Sequence, residues 1–240
     1  MFMAFSPRKK FLAGILSIAV IIGIGAGAWW YVRGSASVEP FPLNSADAIV
    51  SWTFAGAYAG NDTLVAQAQA DRGKLQGLLG KGEYDDYDLY LGMGNDENLI
   101  GNGAAAYDDY NRAINIHPDK GLGYVNLGHL MDELGAYRTA ADAYAKAVTV
   151  EPAVLQYHVQ RLTFLTRQFA DDASVIQAAL KDASDQFGDT PAILAIKAEW
   201  LTARKHYADA IQVWETVKTL SPANRQAAIQ TEIDRLQAKL

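Results

Sequence analysis

Laid over itself at a shift of 34 residues, the chain meets its own pattern. Residues 87–120 and 121–154 share Tyr90/Tyr124, Gly94/Gly128, Gly101/Gly135, Ala106/Ala140, Asp108/Asp142, Tyr110/Tyr144, Ala113/Ala147 and Pro118/Pro152. Met93/Leu127, Ile100/Leu134, Ile114/Val148 and Ile116/Val150 are conservative pairs. The identities fall on small, aromatic and proline positions, which packing would select. A period of this length is the footprint of an internal repeat.

The unit reads as a helical hairpin. Tyr124, Leu127, Gly128 and Met131 recur at i, i+3, i+4, i+7, one face of a helix, and Gly135 ends it. Ala140, Tyr144 and Ala147 mark one face of a second helix, whose small residues let two backbones approach. Pro152 is expected to start the next helix, where its missing N–H does no harm. The tetrapeptide YDDY stands at Tyr84–Tyr87 and again at Tyr107–Tyr110, but at that shift of 23 nothing beyond it matches. The second copy belongs on a second helix, with Tyr110 expected in the core and Asp109 in solvent. The first falls on the loop and opening turn before the repeat.

The pattern resembles the tetratricopeptide repeat (TPR) family, whose 34-residue unit wants a bulky residue, Leu-Gly, Tyr, Ala, an aromatic, Ala and Pro. Gly121–Val154 supplies Tyr124, Leu127-Gly128, Ala140, Tyr144, Ala147 and Pro152, with Met131 in place of the tyrosine. Tyr87–Lys120 matches with Tyr90, Gly94, Ala106, Tyr110, Ala113 and Pro118, and has Glu97 at the Met131 position. Pro191–Asn224 matches with Leu194, Ala198, Leu201, Tyr207, Ala210, Trp214 and Pro222, with Val217 replacing the second alanine. Residues 155–190 keep apolar-periodic stretches around Val159–Leu165 and Val175–Ala183 without the signature, a degenerate repeat of open register.

The resemblance implies an all-α, TPR-like solenoid of helical hairpins. Segments 46–58 and 63–79 carry helical apolar spacing (Ile49, Trp52, Ala55; Leu64, Ala68, Leu75, Leu78) and are expected to form an N-terminal hairpin within 45–86. At the other end Ser221 is expected to cap a helix over 222–240, with Ile229, Ile233, Leu236 and Leu240 on one stripe and a wet opposite face.

Ahead of the solenoid, residues 11–32 run 22 positions without a charge, about 33 Å of helix and enough for a ~30 Å hydrocarbon core. Arg8, Lys9 and Lys10 precede this segment and only Arg33 follows closely. That bias puts residues 1–10 in the cytoplasm and the remainder outside the cytoplasmic membrane, as a single-pass protein. Trp29, Trp30 and Tyr31 stand where an interfacial aromatic belt belongs. A cleaved signal peptide is the rival; its apolar region is shorter as a rule, and bulky Trp29 follows Ala26-x-Ala28. Ala19, Gly23 and Gly27, at four-residue spacing, could contact another membrane helix. Residues 33–44, with two prolines among small residues, read as a linker, and Asn44 or Ser45 as the cap of a following helix.

Chemistry-bearing patterns are scarce. The chain has no cysteine, which excludes disulfides and Cys-ligated metals. Among His117, His129, His158 and His206 none stands at i, i+4 from another and no HExxH occurs, so no zinc site is expected; His129 and His158 read as groove or packing residues. The glycine pairs Gly80/Gly82, Gly92/Gly94, Gly101/Gly103 and Gly121/Gly123 follow no strand and precede no GK[ST], so they read as helix ends and close contacts. The acids of Glu83–Asp88 and Asn95–Glu97 lack EF-hand spacing and suit a helix start. With net charge −6 and no basic face, nucleic acid is not expected as a partner. Neither catalysis, a cofactor nor a small-molecule substrate is expected.

What the TPR resemblance implies is a protein or peptide partner held in a groove lined by each first helix. The family's groove positions fall on Asp88, Leu91, Asn95 and Asn98; on Leu122, Val125, His129 and Asp132; and on Ala192, Ala195, Glu199 and Thr202. The set holds no Lys or Arg, so the cationic clamp by which some TPR proteins grip a C-terminal carboxylate is missing, and neutral or cationic extended segments, or an apolar helix, are expected. Function is thus expected to be that of a membrane-anchored interaction scaffold. The alternative is an accessory subunit of a membrane complex, held through Ala19, Gly23 and Gly27.

Overall fold

The computed structural model describes residues 39–240. The apolar segment 11–32, its flanking cations and the Ala19/Gly23/Gly27 spacing lie outside the described residues. Among the described residues no helix is long and apolar enough to cross a membrane. They form ten helices: α1 Asp62–Gln76, α2 Asp86–Ile100, α3 Gly103–Ile116, α4 Gly121–Glu133, α5 Tyr137–Val150, α6 Leu155–Gln168, α7 Ala173–Phe187, α8 Pro191–Ala203, α9 Tyr207–Leu220 and α10 Ala223–Gln237. The architecture is all-α. Consecutive helices pair as antiparallel hairpins (α2/α3, α4/α5, α6/α7, α8/α9), and each first helix also packs on the next one, α2 on α4, α4 on α6 and α6 on α8.

The repeated residues explain the repeated hairpin. Gly101 (φ 83°) and Gly135 (φ 74°) take the left-handed conformation that closes α2 and α4; each glycine N–H and the next residue's N–H turn back onto the last carbonyls of the helix. A Cβ on Gly94 would lie 2.5 Å from the Tyr110 ring, and one on Gly128 would lie 3.0 Å from Tyr144. The helices thus approach through the glycines, and the tyrosines fill the space beside them. Ala106, Ala113, Ala140 and Ala147 are fully buried at the same crossing. Tyr110 keeps its hydroxyl satisfied by donating to Asn95 Oδ1 at 2.8 Å.

The least regular unit has a readable register. α6 begins 34 residues after α4, and His158 Nε2 donates to Pro152 O at 3.0 Å, as Tyr124 OH donates to Pro118 O at 3.1 Å. α7 begins 36 residues after α5, so the two extra residues lie at the end of α6 and in the following turn. Both prolines stand in turns ahead of the helices: α6 starts at Leu155, not at Pro152. Ser221 closes α9 instead of capping α10, whose N-cap is Pro222. Ile233 and Leu236 of α10 bury against Ala210 and Ile211 of α9 in a small second core.

Segment 46–58 is not helical, a correction to the expected N-terminal hairpin. Residues 41–58 form an extended strap tied to the solenoid by long-range bonds. Asn111 Oδ1 accepts from Phe41 N, and Tyr107 OH donates to Phe41 O at 2.8 Å. The Phe41 ring meets Tyr124 edge-on, and Trp52 packs on Tyr107. Asn44 N donates to Thr139 Oγ1 at 2.9 Å. Further on, Phe54 N donates to Gly101 O and Tyr58 N to Leu99 O, with Thr53 bridged to Asn102. Ile49, Trp52 and Phe54 are partly buried on the main core while Val50 is 97% exposed. The β-branched and aromatic residues of this stretch suit extended backbone, and tertiary partners take the place of i−4 carbonyls. Residues 41–44 are therefore part of the strap, not a free linker, and Asn44 caps no helix, the first described one starting at Asp62.

Candidate functional site

The first helices α2, α4 and α6 present one polar stripe. Asn126 on α4 donates to Asn95 of α2 at 3.2 Å, and His129 lies 3.5 Å from Gln160 of α6. Asp132 accepts from Gln168 Nε2 at 2.8 Å and ion-pairs with Arg167. Leu122 is 43% exposed beside this ladder. His129 is exposed along one edge while the other meets Tyr144; burial of that edge holds its pKa below the usual histidine value, so the ring is neutral at pH 7. Amide donors and acceptors next to an exposed leucine can read extended backbone.

Among the positions expected to line a groove, Asp88, Asn95, Leu122, His129, Ala192 and Glu199 are exposed. Asn98, Asp132, Ala195 and Thr202 are half-buried. Leu91 and Val125 are corrections: they are 5% and 1% exposed and belong to the main core. The physical reason is the direct packing of α2 on α4 and α4 on α6, which places that position in the seam between first helices. The outward stripe of α4 runs Leu122, half-buried Asn126, His129 and Glu133 at i, i+4, i+7, i+11 spacing. Polarity at 126 against apolarity at 125 was the available signal. Gln160, Arg167 and Gln168 come from the degenerate unit, so the stripe does hold a cation, Arg167, engaged by Asp132.

Asp109 is a second correction. It is 4% exposed, with Arg72 of α1 ion-paired to it at 3.4 Å and to Glu97 at 2.6 Å. Burial, reinforced by the Glu97 charge, pushes its pKa up to about 6 despite Arg72. The position 34 residues on is Ala143, fully buried, so the repeat itself marked this site as interior.

The strap does one further piece of chemistry. α5 starts after Ala136, which has no capping side chain. Asp47 supplies the cap from a distant part of the chain, accepting from Thr139 N (2.7 Å), Thr139 Oγ1 (2.7 Å) and Arg138 N (3.2 Å). Burial opposes its ionisation, but these hydrogen bonds outweigh it and hold the carboxyl below its ordinary range. Among the described residues no cluster of three or more His, Asp or Glu could hold a metal ion.

No protein-family model matches the chain. No curated protein matches it either. Among solved structures it is similar to a thermophilic TPR protein of Thermus thermophilus, with a TM-score of 0.50 at 16% identity, covering 73% of this chain and 93% of that one. The TPR2AB domain of yeast Sti1, solved in a complex with pHSP90, gives a TM-score of 0.40 at 16% identity over 76% of this chain and 82% of that one. Together with the ten helices and their pairing, the first likeness shows a TPR-like helical-repeat fold.

Proposed function

We propose that this chain is a protein-binding scaffold whose first-helix face holds an extended segment of a partner. One observation carries the reading: polar side chains bridge three successive first helices, Asn95 to Asn126 and His129 to Gln160, with Leu122 exposed alongside. Asp88, Glu133 and Glu199 are exposed on first helices while Arg167 is engaged by Asp132, so the face favours neutral or cationic segments. Binding of charge-varied extended peptides to the full chain tests this. Neutral and cationic peptides are expected to bind and to lose affinity on Leu122→Arg or Asn126→Arg. A panel whose binding ignores both substitutions overturns the proposal.

The scaffold is membrane-anchored through 11–32 with the solenoid outside the cytoplasm, a reading supported by the uncharged run and the Arg8, Lys9, Lys10 bias. Extraction-resistant membrane association and protease access from the outer side are the expected results; recovery in the cytosol overturns it. The Ala19/Gly23/Gly27 spacing favours a second reading, an accessory subunit held by helix contact. There, Gly23→Ile with Gly27→Ile would release a complex while leaving the solenoid folded.

A further inference from the structure

The solenoid contains the strap's groove twice. The strap lies between the second helices α3 and α5, where Phe41 and Asn44 meet Tyr107, Asn111, Tyr124, Thr139 and Asp142. A shift of 70 residues, two units and the two extra residues, carries these onto Gln177, Lys181, Leu194, Asp209 and Gln212. All five line a single cavity of about 700 Å³ between α7, α8 and α9. The corresponding space between α5 and α7 is about 300 Å³, with Ala141 and Ala145 in its wall and Asn44 at its edge.

The substitutions define what the wider groove would accept. Gln177 replaces Tyr107 and can still donate to a ligand carbonyl. Leu194 replaces Tyr124 and, with Trp200, keeps an apolar floor for an anchor side chain. Lys181 replaces Asn111, which accepts the backbone N–H of Phe41; an ammonium only donates, so that position calls for an anionic group beside the anchor. Lys197 stands in the same wall, half-buried and with no ion-pair partner among the described residues. Arg204 is a third cation, engaged by the Ala170 carbonyl and lying over the Trp200 ring as well as near a fully exposed Asp171, and the Lys181–Asp185 pair is exposed on both sides. Against these three cations the wall has two carboxylates, Asp189 and Asp209. Asp209 replaces Thr139, so a carboxylate placed as Asp47 is would be repelled, whereas a neutral acceptor there could cap α9, which has no side-chain cap after His206.

We propose that the groove between α7 and α9 is a second docking site, separate from the first-helix face, for an extended segment of a partner protein. That segment carries a carboxylate immediately before an apolar or aromatic anchor and a neutral acceptor six residues after the anchor. Charge complementarity with Lys181 and Lys197 identifies the carboxylate, and the strap shows the backbone arrangement this kind of groove takes.

The test uses the full chain and three fluorescent synthetic peptides built on the strap: EFPLNSAN, its charge-reversed form KFPLNSAN, and the chain's own PFPLNSAD. EFPLNSAN is expected to bind at least tenfold more tightly than either of the others. Lys181→Glu with Lys197→Glu should reverse the preference toward KFPLNSAN, a gain that misfolding cannot mimic, while Asn126→Arg leaves EFPLNSAN binding unchanged. Equal affinity for the three peptides overturns the proposal, as does a preference that survives the double substitution. Tightest binding of PFPLNSAD would replace the partner with the strap of a second copy, and loss on Asn126→Arg alone would move the ligand to the first-helix face.

Discussion

Between α3 and α5 the solenoid holds an extended segment of its own chain; 70 residues on, between α7 and α9, the matching positions open into a cavity of about 700 Å³. The helices on either side are alike in length, but α3 packs closely on α4 whereas α7 touches α8 far less, and the α6/α7 hairpin is looser than α2/α3. The side chains facing the space differ as well: Tyr107, Asn111 and Thr139 bond the strap, while Lys181 and Asp209 put charges in their place. A helical repeat therefore dictates the hairpin and leaves the inter-repeat groove free to be filled or open. The small, apolar positions that set the fold are not the ones facing the groove.

The sharpest way to break this comparison is at the helix-closing glycines. Gly101 and Gly135 share a left-handed conformation, but a Cβ on Gly101 would fall inside the van der Waals shell of the Phe54 carbonyl oxygen, whereas one on Gly135 meets nothing within 4 Å. Gly101→Ala should cost about 3–4 kcal/mol, backbone strain plus displacement of the strap, and Gly135→Ala about 1 kcal/mol, strain alone. Denaturant unfolding of both variants measures the difference; equal costs would mean that the strap is not seated there.

The strap-covered half also contains the buried Asp109, where the next copy has Ala143. Its carboxyl pKa is raised to about 6 in the folded state, so between about pH 4 and about pH 6 the folded protein holds a proton that the unfolded chain has released. Stability from this group falls as pH rises from about 4 to about 6 and is level above, an effect of at most about 3 kcal/mol. Asp109→Asn should flatten that part of the thermal-midpoint profile. An unchanged profile would place Asp109 in solvent after all.

Asp47→Ala removes the remote cap of α5 and should cost about 1–2 kcal/mol, with faster amide exchange at Thr139. Because the native pKa of Asp47 is depressed, its contribution is present above the ordinary carboxylate range and lost as pH falls through the native value. Exchange at the first amides of α9, which lack such a cap, should not respond. The smallest effect belongs to Lys205, the open-groove counterpart of Gly101 and Gly135, which takes φ 63° without being glycine. Lys205→Gly should stabilise by about 0.5–1 kcal/mol, read in the same unfolding experiment.

Much of the solenoid was legible because its causes are local and repeated. Gly94 and Gly128 admit tyrosines, Gly101 and Gly135 close helices, and alanines mark the crossings, all at a spacing that one helix turn cannot disguise. The strap was not legible: Ile49, Trp52 and Ala55 imitate helical spacing, and nothing local reveals that Asp47 caps α5 or that Phe54 meets Gly101. At the candidate face Asn95, Leu122 and His129 were placed on the surface from the resemblance, but Leu91 and Val125 went into the seam. That seam exists only once α2 and α4 are packed. Asp109 stands between, since Arg72 gave no sign of its partner while Ala143 did mark the position as interior.

By itself the sequence determined the period, the hairpin and the ends of the first helices, since these follow from excluded volume and backbone conformation within one 34-residue unit. Only the tertiary structure decided which second-helix groove is filled by the chain and which stays open, and which polar side chains meet across first helices. Those outcomes depend on residues up to 98 positions apart, such as Asn44 and Asp142, whose pairing leaves no local trace.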